Sequence, residues 1–316
     1  MKIKNEELNI IEGKLVNYQG EDKMISSVEF AEIISKEPEP KIINSGLPTL
    51  DKILNGFEQG ELIVVSGPTN HGKTTLLLTM LSNMVEKDIK SSFFTLENSP
   101  RSFIKKISNN RTPPLFYLPM KNTENHIDWL LEKIIEGCVK YNTKVIFVDH
   151  LHQIFSIERM KGNLSLEIGD IVAKLKQLAV EYGLVVFLVA HCVDNKMAIN
   201  YEPTIRDIRD SGMISRLADS VLGVWRVQKQ ENLENLYKEK VAEQDDTNSN
   251  NHYNKIRIWK SRREGQWGTL FVLHENHKFT ELDLTKLESS KGSVEKLAKE
   301  LKKSDADLGF NNPEKF

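Results

Sequence analysis

Cysteine, charge of one sign and long apolar runs are all scarce in this chain of 316 residues. The two cysteines, Cys138 and Cys192, lie far apart and form no CxxC pair. That removes a disulfide framework and a zinc knot, and fits a reducing compartment. No apolar run approaches the roughly 18 residues of a membrane span, and the first residues lack a signal-peptide core. The expectation is a cytoplasmic protein without membrane contact. Lysines and arginines number 43 against 45 aspartates and glutamates, and the resulting net charge of −2 gives no global attraction to nucleic acid. A few basic loops would still suffice for that. Internal repeats are missing too, so a solenoid is excluded. With 39% hydrophobic and 28% charged residues, the chain can build one large α/β domain with appendages or two small ones.

The first 40 residues or so are polar, with one helical signature. Ser26-Ser27-Val28-Glu29 reads as a capping box, Phe30, Ile33 and Ile34 share a face, and Pro38 and Pro40 end the pattern. From residue 44 apolar strands alternate with amphipathic helices. Leu62–Val65, Ser92–Leu96, Val145–Val148 and Leu184–Val189 are short continuous runs suited to buried parallel strands. Helices are expected through Met84, from Pro100, over His126–Val139, and along Ile168, Ile171, Val172, Leu175 and Leu178 to a stop at Gly183. This alternation predicts a mostly parallel α/β sheet with helices on both faces. Later runs at Val221–Arg226, Lys255–Lys260, Thr269–Leu273 and Lys278–Leu282 read as strands, the last two as a hairpin extension. The organisation expected is a tether and linker helix over 1–43, a core over 44–283 with a polar excursion at 229–254, and a charged tail over 284–316.

Gly67-Pro68-Thr69-Asn70-His71-Gly72-Lys73-Thr74 stands between an apolar strand and a helix. This is the specific form of the phosphate-binding loop. Glycines let the backbone turn several N–H groups toward one anion, and the helix N-terminus reinforces them. Lys73 is expected on the β- and γ-phosphates of ATP or another NTP, Thr74 on Mg2+, and Thr75 beside it within the loop's reach. A carboxylate must complete the metal site, and Asp149, ending a hydrophobic strand, is placed for it. Glu97 also follows a strand and would face the nucleotide crevice, where it can orient and deprotonate water; a helix-capping role before Pro100 is the alternative. His191 ends the fourth strand and is a candidate γ-phosphate sensor. His150 and His152 lack partners at ligand spacing, so no zinc site is read.

These motifs resemble, in order, the RecA-like motor domain of ring-shaped replicative helicases of the DnaB type. The likeness is nearest to phage primase-helicases and the mitochondrial replicative helicase, and covers residues 44–283. Ser45 to Phe57 resembles the family's lead-in segment, Thr95-Leu96-Glu97-Asn98-Ser99 its catalytic-glutamate stretch, and Val148-Asp149-His150-Leu151-His152-Gln153 its magnesium strand. Val189-Ala190-His191 is similar to the branch with histidine as sensor, and Asp207-Ile208-Arg209-Asp210-Ser211-Gly212 to the Asp-Leu-Arg-x-Ser-Gly motif. Lys260-Ser261-Arg262 with Gly265 and Gly268 resembles the segment reaching a neighbouring subunit's nucleotide. The resemblance implies Arg262 as arginine finger, Lys260 as its partner, and Arg226 against the nucleotide base; a surface basic cluster with Arg263 is the alternative. It further implies single-stranded DNA contacts from Arg159, Lys161, Lys196 and Arg209, a hexameric ring, and a separate primase or loader. The 40 residues ahead of the motor are too few for a primase domain or helical collar, as expected of a stripped core from a phage or other mobile element in a bacterial cell. A RecA-type recombinase filament and a nucleotide-gated ring scaffold or loader are the competing readings.

Overall fold

The computed structural model describes residues 23–37, 39–108, 112–121, 127–150, 164–192, 202–208, 211–226, 252–275 and 277–282. The chain divides into two units, Met1–Pro40 and Lys41–Phe316. The first contains helix α1, Ser27–Ile34, whose N-cap Ser26 side chain accepts the Glu29 N–H at 3.1 Å. Val28, Phe30, Ile33 and Ile34 of α1 are exposed, and eight residues are too few to hold a helix by propensity alone.

The second unit runs α2 (Pro48–Leu54), β1 (Leu62–Gly67), α3 (Lys73–Val85), β2 (Ser91–Thr95), α4 (Pro100–Ser108), α5 (Ile127–Tyr141), β3 (Val145–Asp149), α6 (Leu164–Tyr182), β4 (Val185–His191), a 3-10 turn (Ile205–Asp207), α7 (Ser211–Leu217), β5 (Ser220–Arg226), β6 (His252–Ser261), β7 (Gly268–Glu275) and β8 (Lys278–Glu281). One sheet takes the order β2-β3-β4-β1-β5-β6-β7-β8. The first five are mutually parallel and the last three antiparallel. The expected α/β class, parallel core and C-terminal hairpin are all present.

Alternate residues of each continuous apolar run feed opposite faces of the sheet. Ile63, Val65, Val145, Phe147, Val185 and Phe187 pack with α2, α3 and α4, while Leu62, Val64, Ile146, Val148, Val186 and Leu188 pack with α5, α6 and α7. An aromatic ladder crosses the first face, with ring centroids 5.8 Å apart for Phe93 and Phe147, 5.0 Å for Phe147 and Phe187, and 4.9 Å for Phe187 and Phe57. Edge-on and stacked aromatic pairs at such separations add to what burial alone contributes.

Two short helices, α2 and α7, were not expected, because seven residues show too little periodicity to register. The excursion placed at 229–254 closes earlier, since His252–Asn254 already pair in β6. The central strands are buried throughout, and β1 lies between β4 and β5 with its C-terminal end opening on the crevice where open α/β sheets bind ligands.

Candidate active site

The loop from Gly67 to Gly72 leaves β1 at the sheet's centre and delivers Lys73 as the first residue of α3. Gly67 is required by proximity, because a Cβ there would lie 2.0 Å from the Val224 carbonyl oxygen of β5. Gly72 is required by backbone as well, with φ of 92° and a would-be Cβ 2.6 Å from the Phe279 ring. The β7–β8 hairpin is thereby pressed on the loop, and the Phe279 N–H donates to Thr79 Oγ1 on α3 at 2.9 Å. His71 is held from two strands: its Nδ1 accepts the Arg226 N–H at 3.1 Å, and its carbonyl accepts Asn254 Nδ2 at 2.7 Å. Arg226 and Asn254 are register partners, so the end of β5 and the start of the β6 pairing both meet the loop.

The polar groups of the crevice engage one another. Lys73, 7% exposed, donates from Nζ to the Gly67 and Pro68 carbonyls at 2.9 and 2.8 Å. Thr74 Oγ1 donates to Asp149 Oδ2 at 2.7 Å. Asp149 is 3% exposed and pairs in register with Thr95, just ahead of Glu97. His191 is level with Gly67 across β4 and β1. Its Nε2 lies 2.8 Å from Nε2 of His150, and that same His150 atom is 3.7 Å from Glu97 Oε2. Lys73, Thr74, Glu97, Asp149 and His191, distant in sequence, thus share one sheet edge. The hard oxygen donors of Thr74 and Asp149, already in contact, suit a magnesium ion.

Lys260 and Arg262 fall elsewhere. Ser261 pairs with Ser220, and Ser220 with Ile63, so both lie at the opposite edge of the sheet. The length of β1 separates them from the loop by about 17 Å at the usual strand rise. Lys260 Nζ donates to the Ser215 and Ala218 carbonyls at the end of α7, both at 2.6 Å. Burial pushes its ammonium below the ordinary lysine pKa, Arg262 adds to that, and Asp219 opposes it. Arg263 turns inward to cap α2, donating from Nη2 to the Leu54 and Gly56 carbonyls at 2.6 and 2.7 Å. Arg262 remains half-exposed at 51%, with Nη1 3.1 Å from Asp219 Oδ1 and Nη2 on the Arg216 carbonyl.

Asp219 is a residue to which sequence reading assigned no role of its own. Its carboxylate also accepts the Leu62 N–H at 2.8 Å and Lys176 Nζ at 2.6 Å, tying β1, α6 and the end of β6 together. Partners that distant leave no local signal. Arg159, Lys161, Lys196 and Arg209 lie outside the described residues, as does His152. Among the described residues no cluster of three or more His, Cys, Asp or Glu could hold a metal, and no helix is long and apolar enough to cross a membrane.

Comparison with known proteins points the same way as the geometry. The family model of the DnaB-like helicase C-terminal domain matches residues 43–113 and 119–282. A probable replicative DNA helicase of Trieres chinensis is 26% identical over 254 residues, covering 68% of this chain and 55% of that protein. The replicative DNA helicase DnaB of Mycoplasma pneumoniae is 27% identical over 282 residues, covering 74% and 57%. The chain thus spans a little over half the length of these curated relatives. Among solved structures, the ATPase domain of G40P superposes with a TM-score of 0.61 at 18% identity, over 81% of this chain and 96% of that one. A DnaB-like replicative helicase, described with its primase interactions, gives 0.63 at 17%, over 88% and 72%. A KaiC-like protein from Pyrococcus horikoshii gives 0.52 at 17%, over 77% and 99%. At such identities these likenesses speak for a shared RecA-like fold.

Proposed function

Since this chain belongs to the DnaB-like helicase C-terminal domain family, we propose that it is the ATP-hydrolysing motor of a ring-shaped replicative DNA helicase, translocating on single-stranded DNA and excluding the other strand. The observation that carries this reading is the position of Arg262. It is half-exposed, and a strand's length separates it from its own chain's loop, which supports a reach to a neighbour's nucleotide.

The loop amides and the α3 N-terminus receive the phosphates, and Lys73 exchanges the Gly67 and Pro68 carbonyls for phosphate oxygens. Thr74 and Asp149 would hold Mg2+, which would supply charge neutralisation for the phosphates. Glu97 orients and deprotonates the attacking water, and His191 contacts the γ-phosphate. Arg262 of the adjacent subunit stabilises charge on the transferring group, which makes hydrolysis depend on assembly. Arg226, on the strand end beside His71, faces the base. Lys260 acts from behind Arg262, fixing the end of α7 that holds it. Arg159, Lys161, Lys196 and Arg209 supply the single-stranded DNA contacts, repeated around the channel of a hexamer. The exposed apolar face of α1 supports its role as the linker between subunits, and a separate primase or loader works with the ring.

A forked duplex with purified protein, magnesium and ATP tests the proposal. Strand separation with DNA-stimulated hydrolysis is expected. DNA-coated helical filaments without unwinding would favour a recombinase, and rings that neither unwind nor respond to DNA would favour a scaffold or loader.

A further inference from the structure

Between the base and the sensor stands His150, to which neither spacing nor resemblance assigns a role. It is 6% exposed, and its ring meets that of His191 edge to face, with centroids 4.0 Å apart and planes at 76°. The shared contact is Nε2 to Nε2 at 2.8 Å. Two imidazole nitrogens at that distance hold one proton between them, one donating and the other accepting. Glu97 Oε2, 3.7 Å from the same His150 nitrogen, is just beyond hydrogen-bonding distance. Glu97 has a side chain 54% exposed, against 7% for His150, so the carboxylate has room to move and the imidazole does not.

We propose that His150 is a positioning residue that alternates between His191 and Glu97. An Nε2–H on His150 can serve either partner, an imidazole nitrogen or a carboxylate oxygen, but only one at a time. While the γ-phosphate position is empty it donates to His191, whose own proton then resides on Nδ1. When phosphate draws His191 away through that Nδ1–H, the Glu97 carboxylate closes the 3.7 Å gap to the His150 Nε2–H and is fixed there for the attacking water. No proton changes owner; only the acceptor changes. Filling of the γ-phosphate position is thereby transmitted to the base through one buried ring, and the base is set only after the triphosphate is seated. This rests on the roles of Glu97 and His191 proposed above.

His150→Phe keeps a ring in the buried site and removes the donor, whereas His150→Gln keeps an N–H donor. With the full-length assembled protein, single-stranded DNA and magnesium, ATP Kd and kcat are measured for both. His150→Phe is expected to leave Kd within about twofold and lower kcat roughly 10- to 100-fold, the usual scale for a misplaced catalytic group. His150→Gln is expected to recover a substantial part of kcat. The double variant His150→Phe/His191→Phe is expected to be no slower than His191→Phe alone, because both substitutions cut one route. Unchanged kcat in His150→Phe, or defects that multiply in the double variant, overturns the proposal. If His150→Phe does not fold, the same cycle with His150→Leu, which also removes the donor, decides it. Wild-type turnover in Glu97→Gln or His191→Phe would instead remove the site assignment itself and the bridge with it, so the two failures are distinguishable.

Discussion

At the edge where the parallel strands end, Lys73, Thr74, Asp149, His150 and His191 bond to one another or to the loop that carries them. At the opposite edge Lys260 and Arg263 bond to the C-termini of α7 and α2, and Arg262 to Asp219. The first set consists of bonds that a phosphate or a divalent cation can replace one for one. The second consists mainly of helix caps, which a ligand has no means of replacing. Arg262 alone among the three cations is both bonded and half-exposed. Bonds that a ligand can replace are thus concentrated at one edge and helix caps at the other, where Arg262 is the side chain we propose to act across a subunit boundary.

Four substitutions probe that contrast, the largest effect first. Lys73→Ala is expected to abolish nucleotide turnover, measured as phosphate release at saturating DNA. Arg262→Ala should lower turnover of the assembled protein by roughly 10³, within the range for arginine fingers, while leaving nucleotide binding by isolated subunits intact. Mixing it with Glu97→Gln subunits should restore part of the activity, because each supplies what the other lacks. Strictly additive defects in mixed assemblies would show that Arg262 does not act in trans and break the contrast. Asp219→Ala should cost about 3 kcal/mol in urea unfolding, since it strands Lys176 and the Leu62 N–H. Arg263→Ala should cost about 1–2 kcal/mol through the lost cap on α2, with turnover per assembled ring within about twofold of wild type. A large kinetic defect there would mean that the two adjacent arginines are not divided between chemistry and architecture.

How much of this was legible beforehand depended on the range of the interactions involved. Strands β1 to β4 could be read because burial on both faces demands continuous apolar runs, and Gly67 to Thr74 because a phosphate cradle fixes its own spacing. The convergence of Glu97, Asp149 and His191 followed from strand ends falling on one edge. By contrast, α2 and α7 were too short to show a period. The start of β6 at His252 followed a polar stretch, and its pairing with Arg226 and Val272 is set by partners remote in sequence. Asp219 and His150 look unremarkable locally, because their partners arrive from 157 and 41 positions away. The opposite fates of Lys260, Arg262 and Arg263 were hidden for the same reason, since a run of cations does not announce which members cap helices.

The clamp on His71 has a use for protein engineering. The chain leaves β5 at Arg226 and re-enters the sheet at His252, and Arg226 and Asn254 stand as register partners with the Gly67–Gly72 loop resting on both. Closing a loop across such a fixed pair costs little more when the loop is lengthened. A fluorophore or reporter domain grafted between them would therefore be anchored on the strands that hold the Gly67–Gly72 loop, and would report ligand occupancy of that loop if the proposed function holds.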